Sequence, residues 1–180
     1  MKHLLILLLI FLSSQSAVAG IYEDSVLKID IPAGFKGPLV ESPSPELQLI
    51  GYSLPYASEA GGTLFQISKF NIGPLVKPIP HEKLGAASEF YLKQFMAGVE
   101  RKRTDFTSGP VLKTKLNGIP ASRIEWSGRL EGQQMSGVMY CVVAGNVVIM
   151  LHTQDAIGAP EKPRKATLRA FDKIVIRRGV

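Results

Sequence analysis

The sequence predicts an α+β chain in which helices cover both faces of a mainly antiparallel sheet. A helical apolar period runs through His81–Arg101. Two-residue turns at Glu131-Gly132 and Gly145-Asn146 join alternating runs into a β-meander. Around Tyr140, Val142, Val147 and Ile149 the meander is apolar on both faces, and a strand of that kind needs cover above and below.

Residues 1–19 have the form of a cleavable signal peptide. Lys2 supplies a positive start, Leu4–Leu12 are nine unbroken apolar residues, and Ala17-Val18-Ala19 precedes Gly20 as a peptidase site, so cleavage is expected between Ala19 and Gly20. Nine helical residues reach only about 14 Å, and a membrane span needs about 20. No later stretch is long and apolar enough, so an integral membrane protein is not expected. Gly20, not cysteine, follows the site, which argues against a lipoprotein.

The expected domain, 20–180, has 161 residues and is long enough to bury roughly two-thirds of its unfolded surface. Without Lys2 it carries 20 basic and 15 acidic side chains, a net charge of +5. Outside the cytoplasm that excess suits acidic partners or anionic envelope components and leaves nucleic acid a poor candidate. The plainer reading is a basic surface that keeps the chain soluble. Cys141 is the only cysteine, so no internal disulfide can form and packing must suffice.

Leu27, Ile29 and Ile31 alternate with Lys28 and Asp30 as a half-buried strand closed by Pro32-Ala33-Gly34. A Pro/Ser/Gly-rich loop is expected from Gly37 to Pro45. Strands follow at Leu47–Leu54 and Thr63–Phe70, parted by a turn at Gly61-Gly62, and three prolines make Gly73–Pro80 irregular. In the helix His81–Arg101, Leu84, Ala87, Tyr91, Phe95 and Val99 form one stripe, widened by Leu92 and Met96. Arg101-Lys102-Arg103 then suits the negative end of the helix dipole.

The turns fix register. Glu131-Gly132 pairs Leu130 with Gln133, Trp126 with Gly137 and Ile124 with Met139; Gly145-Asn146 pairs Cys141 with Met150 and Met139 with His152. One face then collects Ile124, Trp126, Met135, Met139, Cys141, Met150 and His152 as core. The other holds Arg123, Glu125, Ser127 and Arg129 opposite Gln134, Ser136, Val138 and Tyr140. A second helix after Pro160, with Leu168 and Phe171, covers the doubly apolar region, and Ile174-Val175-Ile176 ends the chain as a short strand.

Leu27-Lys28-Ile29-Asp30-Ile31-Pro32-Ala33-Gly34-Phe35 resembles the opening of PsbP-like proteins, a strand followed by Pro-x-Gly-Phe. The strand start Asn117-Gly118-Ile119-Pro120-Ala121, the Gly145-Asn146 hairpin and the late Ala170-Phe171 helix are similar to theirs. That superfamily includes photosystem II PsbP, the Mog nuclear-transport factors and DcrB-type envelope proteins. The resemblance implies a three-layer α/β/α sandwich with a mainly antiparallel sheet. It also implies an accessory or binding protein rather than an enzyme, with no set of functional residues to carry over; fold alone does not fix function.

Chemistry-bearing motifs are sparse. His81-Glu82 begins H-E-x-x-H, but Gly85 stands where the second histidine is required, so no metal site is expected. No phosphate loop and no G-x-S-x-G elbow occurs. Cys141 lies in a doubly apolar run, unlike the open, electropositive setting of a nucleophile, and could meet His152 only diagonally. His152 reads as a neutral imidazole at the rim of the core, or as a polar contact at a pocket bounded by Trp126, Gly137 and Met139. Arg123, Glu125 and Arg129, with Tyr140 opposite Arg123, form the one notable polar cluster; it is a solvated charge ladder or a place for an anionic ligand or partner.

The expectation is an exported, non-catalytic accessory or binding protein of the bacterial envelope, periplasmic or secreted. No catalytic residues, metal or cofactor are expected. Candidate contacts to a ligand, an envelope protein or an anionic envelope component are Arg123, Glu125, Arg129, Tyr140, Trp126 and His152. The alternatives are a carrier of a small amphipathic ligand and, further off, a hydrolase using His152.

Overall fold

A computed structural model of the chain describes residues 20–56, 62–73 and 79–177. The signal-like segment 1–19, Gly61 of the expected turn, and Pro74 and Pro78 lie outside them. The chain runs β1 (Gly20–Glu23), β2 (Leu27–Ile31), β3 (Lys36–Ser44), β4 (Leu47–Pro55), β5 (Gly62–Asn71), a 3-10 turn (His81–Lys83), and α1 (Leu84–Glu100). It continues with β6 (Thr104–Ser108), β7 (Leu112–Leu116), β8 (Ile119–Leu130), β9 (Gln133–Ala144), β10 (Val147–Ala156), α2 (Glu161–Asp172) and β11 (Val175–Ile176).

Eight strands form one antiparallel sheet in the order β3-β4-β5-β10-β9-β8-β6, with β7 pairing β8 beside β6. A smaller antiparallel sheet, β1-β2-β11, is separate. The hairpin registers agree with the sequence: Trp126 faces Gly137, Ile124 faces Met139, Cys141 faces Met150 and Met139 faces His152. Two-residue turns dictate this by their backbone, since Glu131, Gly132 and Gly145 all have positive φ (48°, 82° and 57°).

The large sheet has a core on each face. On one face Ile124, Trp126, Met139, Cys141, Val148 and Met150 pack against Leu92 and Met96 of α1. On the other, Ile50, Phe65, Ile67, Tyr140, Val142, Ile149 and Leu151 form a core with Phe171 of α2 and with Leu27, Ile29 and Ile31 from the small sheet. Phe171 anchors that side, its ring 5.1 Å from Phe65 and 5.9 Å from Tyr140. The architecture is therefore α/β/α, with the small sheet lying beside α2 in the third layer.

Three expectations change. Gly37–Pro45 is not a loop: Lys36–Ser44 is edge strand β3, paired to β4 with two register shifts and exposed almost throughout. Prolines tolerated at an edge and the lack of a buried face erase its alternation. Thr104–Ser108 forms β6, too short and too exposed to show a period. On α1 the buried line is Ser88, Leu92 and Met96, with Leu84, Ala87, Tyr91, Phe95 and Val99 flanking it. Ser88 is admitted because its hydroxyl meets Ser122 Oγ at 2.9 Å and donates to the Gly85 carbonyl at 2.8 Å, which satisfies it in the core.

Asp24 ties the two sheets together. Its carboxylate pairs with Lys69 of β5, takes a 2.7 Å hydrogen bond from Tyr22, and accepts the Val26 and Leu27 amides at 2.8 and 2.9 Å. Burial alone would raise its carboxyl, but these donors carry it down to about 2. A depressed carboxyl stabilises the fold above its unfolded value near pH 4 and loses that contribution as pH falls through about 2. Asp24→Asn is expected to cost about 1 kcal/mol at pH 7, once screening by solvent is allowed for, and to flatten the pH 4 to 2 arm of urea midpoints.

Gly137 lets Trp126 lie flat across β9: an added Cβ would stand 2.5 Å from the indole. The ring cannot retreat, because Phe106 stacks on it at 6.2 Å and the Arg103 guanidinium lies 4.3 Å from its centre. Gly137→Ala is expected to destabilise by about 1–3 kcal/mol, read as a lowered urea midpoint with altered Trp126 emission.

Candidate functional site

Side chains alternate along β10 and β5, so Met150, His152 and Gln154 share a face with Leu64, Gln66 and Ser68, and the register sets His152 opposite Gln66. Leu47 and Leu49 of β4 extend that face. Helix α1 lies over β8 and β9 and touches β10 only along its near side. Between its carboxyl-terminal half and β4, β5 and β10 is an open groove of about 430 Å³. Leucines and methionines, with Gln66 and Ser68 of β5 among them, form its floor, Phe95 and Val99 its helical wall, and Gly98 leaves that wall without a side chain.

Lys102, Arg103, His152 and Gln154 make the groove's polar end. Arg103 donates from Nη1 to the Val99 carbonyl at 2.9 Å and from Nη2 to Gln154 Oε1 at 2.7 Å. It thus closes the end of α1, as the helix-dipole reading expected. It also does something that reading missed: it turns back over Trp126 and lines the groove. Burial lowers its pKa, with no charged partner offsetting the shift. Nothing in the local pattern announces this, because the turn after Glu100 redirects the side chain.

His152 is 6 % exposed, its ring 5.7 Å from Trp126. Burial, with Arg103 nearby, depresses its pKa to about 3, so the imidazole is neutral at ordinary pH. Its Nε2, Arg103 Nε and Trp126 Nε1 are all buried without a hydrogen-bond partner among the described residues. Met139 and His152 do line the cavity, whereas Trp126 and Gly137 do not: the indole itself fills the space that the glycine leaves.

Arg123, Glu125 and Tyr140 come together on the opposite, α2-side face. Arg123 donates from Nε to the Tyr140 hydroxyl at 3.1 Å and from Nη2 to Glu125 at 2.5 Å. Burial would lower the Arg123 pKa, but Glu125 and Tyr140 raise it overall; burial raises that of Tyr140. Arg129 stands apart, paired with Asp105 at 3.3 Å. The six candidate residues therefore divide between two faces, and both arginines on the α2 side already have counter-ions.

Cys141 is fully buried, and burial pushes its thiol pKa up. It faces Met150 while His152 faces Met139, so thiol and imidazole are not cross-strand partners. His81 and Glu82 sit on the exposed 3-10 turn. No cluster of three or more His, Cys, Asp or Glu side chains suited to a metal occurs among the described residues, and no helix there is long and apolar enough to cross a membrane.

No protein-family description and no curated protein matches the chain. Solved structures do. Cyanobacterial PsbP (CyanoP) from Synechocystis aligns with a TM-score of 0.56 at 10% identity, over 92% of this chain and 96% of its own. The Pseudomonas aeruginosa protein of unknown function PA94 gives 0.56 at 14%, over 89% and 99%. The fold is PsbP-like. LpqN of Mycobacterium tuberculosis, described as involved in cell envelope biogenesis, shares it at a TM-score of 0.50 and 15% identity, over 78% of this chain and 84% of its own. At these identities the likeness establishes the PsbP-like architecture and says nothing of individual residues.

His152 gives the fold a pH signature. The unfolded chain takes up a proton near pH 6.5 that the folded chain refuses until about pH 3, so stability falls as pH drops through that window. The expected slope is about 1.4 kcal/mol per pH unit. His152→Leu is expected to remove that slope between pH 6 and 4, measured by urea unfolding at each pH. A slope unchanged in the variant would contradict the buried, neutral imidazole.

Proposed function

We propose that this chain is an exported, non-catalytic binding protein of the bacterial cell envelope, and that the groove beside α1 is its binding site for a small, mostly apolar ligand. The observation that carries the reading is the groove itself: leucines and methionines, with Gln66 and Ser68 among them, form an open floor, and Lys102, Arg103, His152 and Gln154 gather at one end. Ligand sites commonly have this composition, an apolar lining with a few polar groups that set orientation. The signal-like start of the chain and the envelope-biogenesis role of LpqN favour the compartment.

The protonation states favour recognition over catalysis. A general acid or base works best with a pKa near the operating pH, whereas His152 is held down to about 3 and the Cys141 thiol is held up. The Arg123, Glu125 and Tyr140 cluster, with Arg129, is kept as a second reading, a surface contact for a partner protein. The position of Glu125 on an exposed strand face favours it.

Gly98 offers the test. An added Cβ there meets only the far end of Arg101, at 3.8 Å, so a larger side chain projects into open space. Gly98→Ala is expected to stabilise by about 0.5–1 kcal/mol through helix propensity. Gly98→Trp is expected to fill the groove and leave the fold intact. Native mass spectrometry of protein recovered from an envelope fraction should show an added mass in the parent that Gly98→Trp loses. The same added mass in both proteins would move the ligand away from the groove.

A further inference from the structure

We infer that the groove selects its ligand by charge, taking a single-chain amphiphile whose carboxylate sits between Arg103 and Lys102 while its chain lies along β4 and β5. This rests on the reading of the groove as a binding site. It adds the sign of the ligand's charge and the residues that read it.

The groove contains two cationic side chains and no aspartate or glutamate. Among the described residues the ion pairs use Lys28, Lys69, Lys93, Arg123, Arg129, Lys165 and Arg177; neither Lys102 nor Arg103 pairs with a carboxylate. Among the partly buried cations, Lys28 has Glu23, Lys69 has Asp24 and Arg123 has Glu125, while Arg164, on the α2 side, bonds only to the Ser136 hydroxyl. Arg103 has only neutral partners, namely a carbonyl, an amide and the face of Trp126. A guanidinium offers five N–H donors; two are used in these bonds and the Nε donor is buried, so one hydrogen on each terminal nitrogen remains.

A partly desolvated cation without a counter-charge costs stability unless something anionic joins it. An arginine fork matches a carboxylate's two oxygens, and the hydrogen bond gains from full charge on both sides. Lys102 is exposed at the rim and adds a second positive charge. His152 contributes no charge at neutral pH, and its Nε2 is buried. Leu64 lies opposite Gln154 at the polar end, and away from it the floor runs through Met150, Ser68, Leu49 and Leu47, whose apolar side chains suit a hydrocarbon chain. A doubly charged head would carry a greater desolvation cost into the same walls, so a single negative charge fits best.

Three ten-carbon probes separate charge from chain: decanoate, 1-decanol and decyltrimethylammonium. Their dissociation constants can be measured at pH 7.5, below micelle formation, by the emission of Trp126, the only tryptophan. Decanoate is expected to bind at least tenfold more tightly than either other probe. Arg103→Gln should erase most of that preference. Lys102→Gln, at an exposed position where folding is not at risk, should weaken decanoate several-fold and leave 1-decanol unchanged. Lys102→Glu should turn the preference toward decyltrimethylammonium. Equal binding of all three probes, abolished by Gly98→Trp, would overturn the charge inference while keeping the groove as the site. Binding that survives Gly98→Trp, or no binding of any probe, would overturn the site itself.

Discussion

A sheet of this width cannot be covered by one helix. The large sheet spans seven strand positions, since β6 and β7 share the far side of β8; at about 4.8 Å per position that is roughly 29 Å across. An α-helix with its side chains covers about 10–12 Å. On one face the difference is made up by placing the three-stranded sheet beside α2, so that Leu27, Ile29 and Ile31 complete the core that Phe171 begins. On the other face α1 lies mainly over β8 and β9 and reaches only the near side of β10, and β4 and β5 are left with leucines on an open surface. The groove follows from this asymmetry, and no cavity had to be carved out of a packed core.

What lies at the edge of the uncovered region then determines its chemistry. Trp126 lies flat because Gly137 has no side chain, and its upper face becomes a platform on which Arg103 rests. The guanidinium is held by neutral groups that fix its position without neutralising it. On the opposite face Arg123 is fixed by Glu125 and Tyr140, which leaves a local charge near zero. Two arginines in strand-face settings thus present different fields, and the difference lies in the second residue of each pair, a glutamine in one case and a glutamate in the other.

Much of the scaffold was legible in the sequence, for a reason that also explains the omissions. Turns at Glu131-Gly132 and Gly145-Asn146 admit one register each, because the side-chain period is two and a slip by one residue would turn Trp126 and Met139 to the wrong face. The central strands therefore read correctly down to individual pairs. β3 and β6 have no buried face to impose a period, and prolines in β3 imitate a loop. Ser88 was missed as a core position because its partner, Ser122, is 34 residues away. Arg103 was visible only as the end of a basic run. Its seat on Trp126 depends on the turn after α1 and on β6 bringing the chain back beside β8, a tertiary fact with no local trace. His152 was placed on the right face, but the cavity it borders extends toward β5 and β4, away from Trp126.

The same geometry sets what the groove can do. Proton transfer at neutral pH needs a group that gains and loses a proton there, and the packing beside α1 removes both candidates from that range. His152 is neutral because burial and a neighbouring guanidinium each oppose its charging. Moving Arg103 away would relieve only the smaller cause, so the imidazole stays neutral whether or not a ligand draws the guanidinium off Trp126. Cys141, beneath Leu92 and Met96 in the same core, is further from solvent still. Lining the groove are Arg103 and Lys102, two cations with no carboxylate partner among the described residues; Arg103 is charged at all ordinary pH values. A permanent cation can attract and orient an anion but does not cycle a proton at neutral pH.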